Sequence, residues 1–213
     1  MKPKPSSTIR LELFSDGVFA IAIMLLVMEI KLPSHMDLQR MGGPWSALAQ
    51  QWRDYVGCTL TFAIMGVLWA NHHAMFEQIR RVDRWLLLSN MFLMMGVGFL
   101  PYATVVLAEN LGDARAQTSA TLFYGATLIF CSFAYNALWW SAAWRRRLVA
   151  NHLDMIGVRT ISRRNAASLA GTMVATATAF ANVWLSLAIH LGLAFWNATI
   201  EHPEPDADTG PAE

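Results

Sequence analysis

The sequence predicts an all-α integral membrane protein with six transmembrane helices in a single repeat and both termini on the cytoplasmic side. Three observations predict it. The 213 residues are 55% hydrophobic and only 15% charged, with a mean hydropathy of +0.35, whereas soluble domains carry roughly 25% charged residues. The charges are confined to short segments between long apolar runs. Those runs are apolar on every face, which excludes the alternating pattern of a membrane barrel and leaves helices that satisfy their own backbone hydrogen bonds.

Each run is matched to the roughly 20 residues that a helix needs to cross the hydrocarbon core. Residues 11–32 form the first, marked by Glu12, Asp16, Glu29 and Lys31 around an uninterrupted apolar stretch over 17–28. Residues 55–76, 85–108 and 116–144 hold no Asp, Glu, Lys or Arg and supply one span each. The uncharged stretch over 165–200 is too long for one helix and divides into 165–181 and 183–200, turning near Asn182. Residues 1–9 are expected as a cytoplasmic N-terminus, 10–200 as the membrane domain, and the proline-rich residues 201–213 as a disordered cytoplasmic tail. Residues 33–44, with Gly42 and Gly43, read as an external loop.

Lysine and arginine placement sets the orientation. With the N-terminus inside, twelve of the 16 basic residues are cytoplasmic: Lys2, Lys4, Arg10, Arg80, Arg81, Arg84, Arg145, Arg146, Arg147, Arg159, Arg163 and Arg164. Only Lys31, Arg40, Arg53 and Arg115 fall on the other side. The start does not read as a cleaved signal peptide, because Asp16 heads the apolar stretch and the one small-x-small triplet, at residues 20–22, lies inside it. A net charge of +1 gives no footprint for nucleic acid. Cys58 and Cys131 sit in apolar runs and read as buried thiols. The glycosylation sequon at Asn197 lies at a membrane end expected to face the cytoplasm.

No catalytic motif is present, and no cofactor is expected. His72 and His73 are adjacent, so they point about 100° apart on a helix and cannot ligate one metal as an i, i+4 pair would. Asp16 is the informative residue, since an ionisable group at membrane depth is costly and turns toward protein or water. On a helical wheel Ser15, Asp16, Phe19, Ala20 and Ile23 share its side. The opposite side carries Val18, Ile21 and Leu25, with Met28 and Phe14 less central, and faces either lipid or an oligomer axis. A proton-coupled secondary transporter using Asp16 and the His72/His73 pair is the alternative that these groups leave open.

The segment Arg10-Leu-Glu-Leu-Phe14-Ser15-Asp16 resembles the R-x-x-x-F-S-D signature of the transmembrane protein 175 family, potassium channels of animal endosomes and lysosomes with bacterial homologues. Trp69-Ala-Asn-His72-His73 with Phe76, Asp83, and Phe99-Leu-Pro-Tyr102 are similar to the second and third helices of bacterial members, so the likeness spans residues 10–108.

The resemblance implies a homotetramer in the inner membrane of a bacterium, since a single repeat needs four copies to enclose a central pore. It implies a potassium or cation channel whose only ligand is the permeant ion, lined by the first helix and lacking a T-V-G-Y-G filter. Carried over by position, the narrow apolar constriction falls on Ile21, with Met24, Leu25 and Met28 also facing the pore. Arg10, Phe14, Ser15 and Asp16 would form a structural motif away from the ion. Asp16 and Ser15 would hydrogen-bond to Trp69, His72 or Asn90 and so fix the pore helix. Many bacterial members have threonine where this chain has Met24. A thioether is not a hard ligand, so modest selectivity is the expectation.

Overall fold

The apolar runs fold as helices because a backbone in lipid has no other way to pair its N–H and C=O groups within one segment. In the computed structural model, residues 7–31, 33–144, 148–149 and 155–199 are described. They form α1 (Ser7–Met28), α2 (His35–Arg40), α3 (Pro44–Gln50), α4 (Trp52–Glu77), α5 (Arg84–Asn110), α6 (Gln117–Trp144), α7 (Met155–Ala177) and α8 (Val183–Ala198). A short 3₁₀ turn, Thr178–Phe180, joins the last two. Lys2, Lys4, Arg145, Arg146, Arg147 and residues 201–213 lie outside the described residues.

Three helices, α1, α5 and α6, are long and apolar enough to cross a membrane. Helices α4 and α7 are comparably long, at 26 and 23 residues, but less apolar along their length.

Several boundaries differ from the sequence expectation. The stretch over 33–44 is not a plain loop. It contains α2, and then Gly42 and Gly43, with φ of 80° and 116°, make a left-handed turn that only glycine adopts cheaply. Pro44 then starts α3, where its missing N–H costs nothing. Helix α1 ends at Met28 rather than running to 32. Helix α7 starts ten residues before the expected 165, at Met155, and gives way to the 3₁₀ turn before 181. Arg159, Arg163 and Arg164 therefore sit on a helix, not in a connecting loop. Charge and hydropathy mark where a helix meets lipid, not where its hydrogen bonding begins.

Capping residues fix the sharper starts. The Asp83 carboxylate accepts from Leu86 N at 2.9 Å at the head of α5, and the Asn182 side chain accepts from Leu185 N at 3.0 Å at the head of α8. The α7–α8 connection is tight, and Ser186 Oγ ties the second helix back to the Ala175 carbonyl at 2.7 Å.

The core runs along α5 and α6. Leu93, Val97, Leu100 and Leu107 of the first and Tyr124 and Leu138 of the second are fully buried. Close approach depends on small residues. A Cβ on Gly96 would sit 2.8 Å from Cys131 Sγ, and one on Gly125 would sit 2.5 Å from the Thr176 side chain. Deep in the same core, Thr61 Oγ1 lies 2.8 Å from Thr104 Oγ1 and 3.0 Å from Tyr124 Oη. Thr104 donates to the Leu100 carbonyl at 2.8 Å. Its oxygen therefore accepts from Thr61, and Tyr124 donates to Thr61. All three hydroxyls are satisfied, as buried polar groups must be.

Candidate functional site

Helix α1 divides cleanly into two faces. Leu11, Ser15, Phe19, Ala22 and Leu26 are buried against α4 and α5, a stripe at the i, i+4, i+3 spacing of a helix packed on one side. Its centre is Ser15, not Asp16. Met24, nine residues after Ser15, points about 180° away from it. The exposures follow that axis: Met28 71%, Ile21 58%, Met24 58% and, nearer the flank, Leu25 37%. This corrects the wheel drawn around Asp16. Ala20 lies on the exposed side, and Met24 stands at the middle of the outward face.

The physical reason lies in hydrogen bonding. A serine hydroxyl can donate and accept at once, so it survives complete burial, whereas a carboxylate needs donors around it. Ser15 Oγ donates to the Leu11 carbonyl at 3.0 Å and accepts from Asn90 Nδ2 at 2.9 Å. Asn90 Oδ1 then faces His72 Nε2 at 2.9 Å. Because the Asn90 amine is committed to Ser15, its oxygen must accept, and His72 carries its proton on Nε2. Ser15, Asn90 and His72 are all 0% exposed. The His72 ring stacks on Phe76, with centroids 4.5 Å apart, and tilts against Phe19 at 5.7 Å. Its Nδ1 is buried without a hydrogen-bond partner.

Asp16 takes a separate partner at the flank, accepting from Trp69 Nε1 at 2.9 Å. One turn toward the helix start, Glu12 Oε1 lies 2.8 Å from His73 Nδ1, and His73 also stands 3.8 Å from Glu77. The Trp69 and His73 rings are stacked. Arg10 and Phe14 point outward with the apolar face. The four-residue motif thus splits, its serine and aspartate turned to the chain's own bundle and its arginine and phenylalanine turned away.

The segment 69–73 of α4 joins most of the molecule. Trp69 and His73 reach α1, His72 reaches α5, and the Asn71 carbonyl accepts from Tyr135 Oη of α6 at 2.8 Å. Asn71 Oδ1 also accepts from Arg164 Nη2 of α7 at 3.3 Å. Glu12 and Asn71 are not among the sequence-derived candidates. A signal for the first exists: Glu12 and Asp16 are an i, i+4 pair on α1, matched by Trp69 and His73 on α4. Asn71 has no comparable signal. His72 and His73 diverge, one fully buried and one half-exposed, and among the described residues no hydrogen bond joins Asp16 to either.

At the opposite end, Lys31, just past α1, pairs with Glu109 at the end of α5. The hydrogen bond to that carboxylate, helped by its charge, holds the Lys31 ammonium above the usual lysine range. With Ser15–Asn90 near the other end, this contact sets α1 parallel to α5 and antiparallel to α4.

Residues 10–101 match the family model described as endosomal/lysosomal potassium channel TMEM175. A potassium channel of Streptomyces collinus is 36% identical over 196 residues, covering 92% of this chain and 94% of that one. A potassium channel of Chamaesiphon minutus is 38% identical over 196 residues, covering 92% and 96%. The crystal structure of a lysosomal potassium-selective channel TMEM175 homolog from Chamaesiphon minutus superposes with a TM-score of 0.80 at 36% identity, covering 90% of this chain and 96% of that one. Likeness of that extent, in sequence and in fold, makes this chain a member of the TMEM175 potassium channel family.

Proposed function

We propose that four copies of this chain form a passive potassium channel in the cytoplasmic membrane of a bacterium, with α1 of each copy lining the shared path. The near-full-length relatives named potassium channels support the activity, and membership of an ion-channel family means that the chain is not an enzyme. In this reading α4, α7 and α8 join α1, α5 and α6 as spans. Six spans return both termini to the side where the basic residues concentrate.

One observation carries the pore assignment. The outward face of α1, with Ile21, Met24 and Met28 all more than half exposed, is apolar and has no packing partner among the described residues, while the inward face is fixed by Ser15 and Asp16. A ring of four such faces makes a narrow apolar constriction. It gates by dewetting and discriminates by the cost of stripping water from the ion. Potassium holds its water less tightly than sodium, so the ring favours it. Met24 presents a soft sulfur at the centre of that face, where an oxygen would coordinate the ion, and selectivity is accordingly modest.

The test uses proteoliposomes and potassium flux, in a background where the half-buried Cys58 is replaced by alanine. Ile21→Cys and Met24→Cys are expected to confer block by a thiol-reactive cation, and Leu26→Cys, buried in the wild type, is expected to stay insensitive. Assembled, conducting Ile21→Cys and Met24→Cys variants that both resist block would remove α1 from the pore.

A further inference from the structure

A cavity of about 100 Å³ lies between α4, α6, α7 and α8, on a face of α4 other than the one turned to α1 and α5. Its polar end gathers Asn71, Asn136, Arg164, Asn165 and Asn197. These stand near the ends of α4, α6 and α8 and the first half of α7, hence at one end of the bundle, the end with the greater basic charge. One to two helical turns deeper, about 10 Å at 1.5 Å per residue, the lining turns to Val67, Ile64 and Leu128, with Thr172 and His190 beside them.

The polar end is rich in donors. Arg164 brings a guanidinium fork, one nitrogen of which donates to Asn71 Oδ1 at 3.3 Å. Asn165 is 5% exposed, and its Nδ2 is buried with no hydrogen-bond partner, while its backbone carbonyl is occupied by Asn136 Nδ2 at 3.1 Å. Among the described residues that line the cavity, none is Asp or Glu. A low-dielectric recess with a cation, a spare amide donor and no lining carboxylate attracts an anion with several acceptor oxygens. The wall is not sealed, since Asn71, Arg164, Ser168 and Asn197 remain partly exposed. The volume admits several waters or one compact head group, not a whole lipid.

We infer that this cavity is a phosphate site, filled by the head group of an anionic lipid from the cytoplasmic leaflet whose remainder lies outside the recess. Anionic lipids concentrate in that leaflet, and basic pockets between transmembrane helices on that side take their head groups. The deeper part, lined by Val67, Ile64 and Leu128 with the uncharged Thr172 hydroxyl and the His190 ring, accommodates the carbon next to the phosphate.

The test is native mass spectrometry of the full-length protein in neutral detergent, titrated separately with phosphatidylglycerol, phosphatidylcholine and inorganic phosphate. Phosphatidylglycerol is expected to bind at one site per chain at least about tenfold more tightly than phosphatidylcholine, and Arg164→Gln and Asn165→Leu each to weaken it about tenfold. Arg115→Gln, at the far end of the bundle, should leave it unchanged. Arg164→Lys keeps the charge and should retain most of the affinity, so a loss in Arg164→Gln that Lys rescues cannot be ascribed to misfolding. Inorganic phosphate that binds with the same sensitivity to Arg164→Gln would keep the phosphate site but assign it to the free ion. Equal binding of both lipids, or indifference of the first two variants, overturns the inference. Ion flux is not the readout, so the result stands apart from the pore assignment.

Discussion

Ser15 holds two hydrogen bonds in a place that water does not reach, and the neighbouring Asp16 holds one at the flank. Substituting each separates their roles. Ser15→Ala removes the acceptor for Asn90 Nδ2 and leaves that amine buried and unpaired, which costs about 1–3 kcal/mol. The expected readout is a lower melting temperature in detergent. Asp16→Asn keeps an oxygen for the Trp69 indole and should melt close to the wild type, whereas Asp16→Ala, which keeps none, should not. If Asp16→Asn were as damaging as Asp16→Ala, charge rather than hydrogen bonding would be what Asp16 contributes. The residues of this cluster were legible from sequence because each is a polar group out of place in an apolar run. Their order of burial was not. The cost of placing an ion in the membrane draws attention to the carboxylate, yet that same cost keeps Asp16 at the edge and gives the centre to the hydroxyl.

Helices here meet through residues that sequence patterns record only partly. Where α5 crosses α6, Gly96 lies against Cys131 and the Phe130 ring, close enough that a methyl group would collide. Gly98, two residues on, has nothing within 4 Å of an added Cβ. Gly96→Ala is therefore expected to destabilise the bundle by about 1–3 kcal/mol through overpacking. Gly98→Ala should be neutral or slightly stabilising, since alanine is the better helix former; a paired thermal-melt comparison checks both. Charge-free runs mark the apolar elements because every turn in lipid must be greasy, and the ends of α5 and α6 fall within two residues of the expected 85–108 and 116–144. This signal fails at α7, whose arginines interrupt the greasy pattern without interrupting the helix. It fails also for α2 and α3, which are too short to leave a repeating signature. The cavity between α4, α6, α7 and α8 gives no sequence signal, because its polar end draws single residues from four helices far apart in the chain.

At the scale of the whole molecule, the exposed apolar face of α1 is turned away from the chain's own bundle. A single bundle satisfies the polar groups of this helix and leaves Ile21, Met24 and Met28 turned outward; in the proposed ring of identical copies these faces would meet around one shared axis. The mass of the detergent-solubilised assembly is expected to be four times the 23.7 kDa chain. A monodisperse monomer that still conducts would place the path inside one bundle. In the proposed tetramer Arg10 and Phe14, which face outward beside that apolar stripe, would stand where a neighbouring copy arrives.

The brevity of α8 has a consequence for the surrounding lipid. Sixteen residues rise only about 24 Å, short of the roughly 30 Å hydrocarbon slab. Asn182 and the 3₁₀ turn pin one end, and at the other the Thr199 N–H closes on the Phe195 carbonyl at 3.1 Å. In the six-span arrangement proposed above, the lipid along that flank would thin to match the helix, drawing head groups inward. Reconstitution into bilayers of graded acyl length should reveal it as a preference for the thinner ones, with flux per assembly falling as the chains grow.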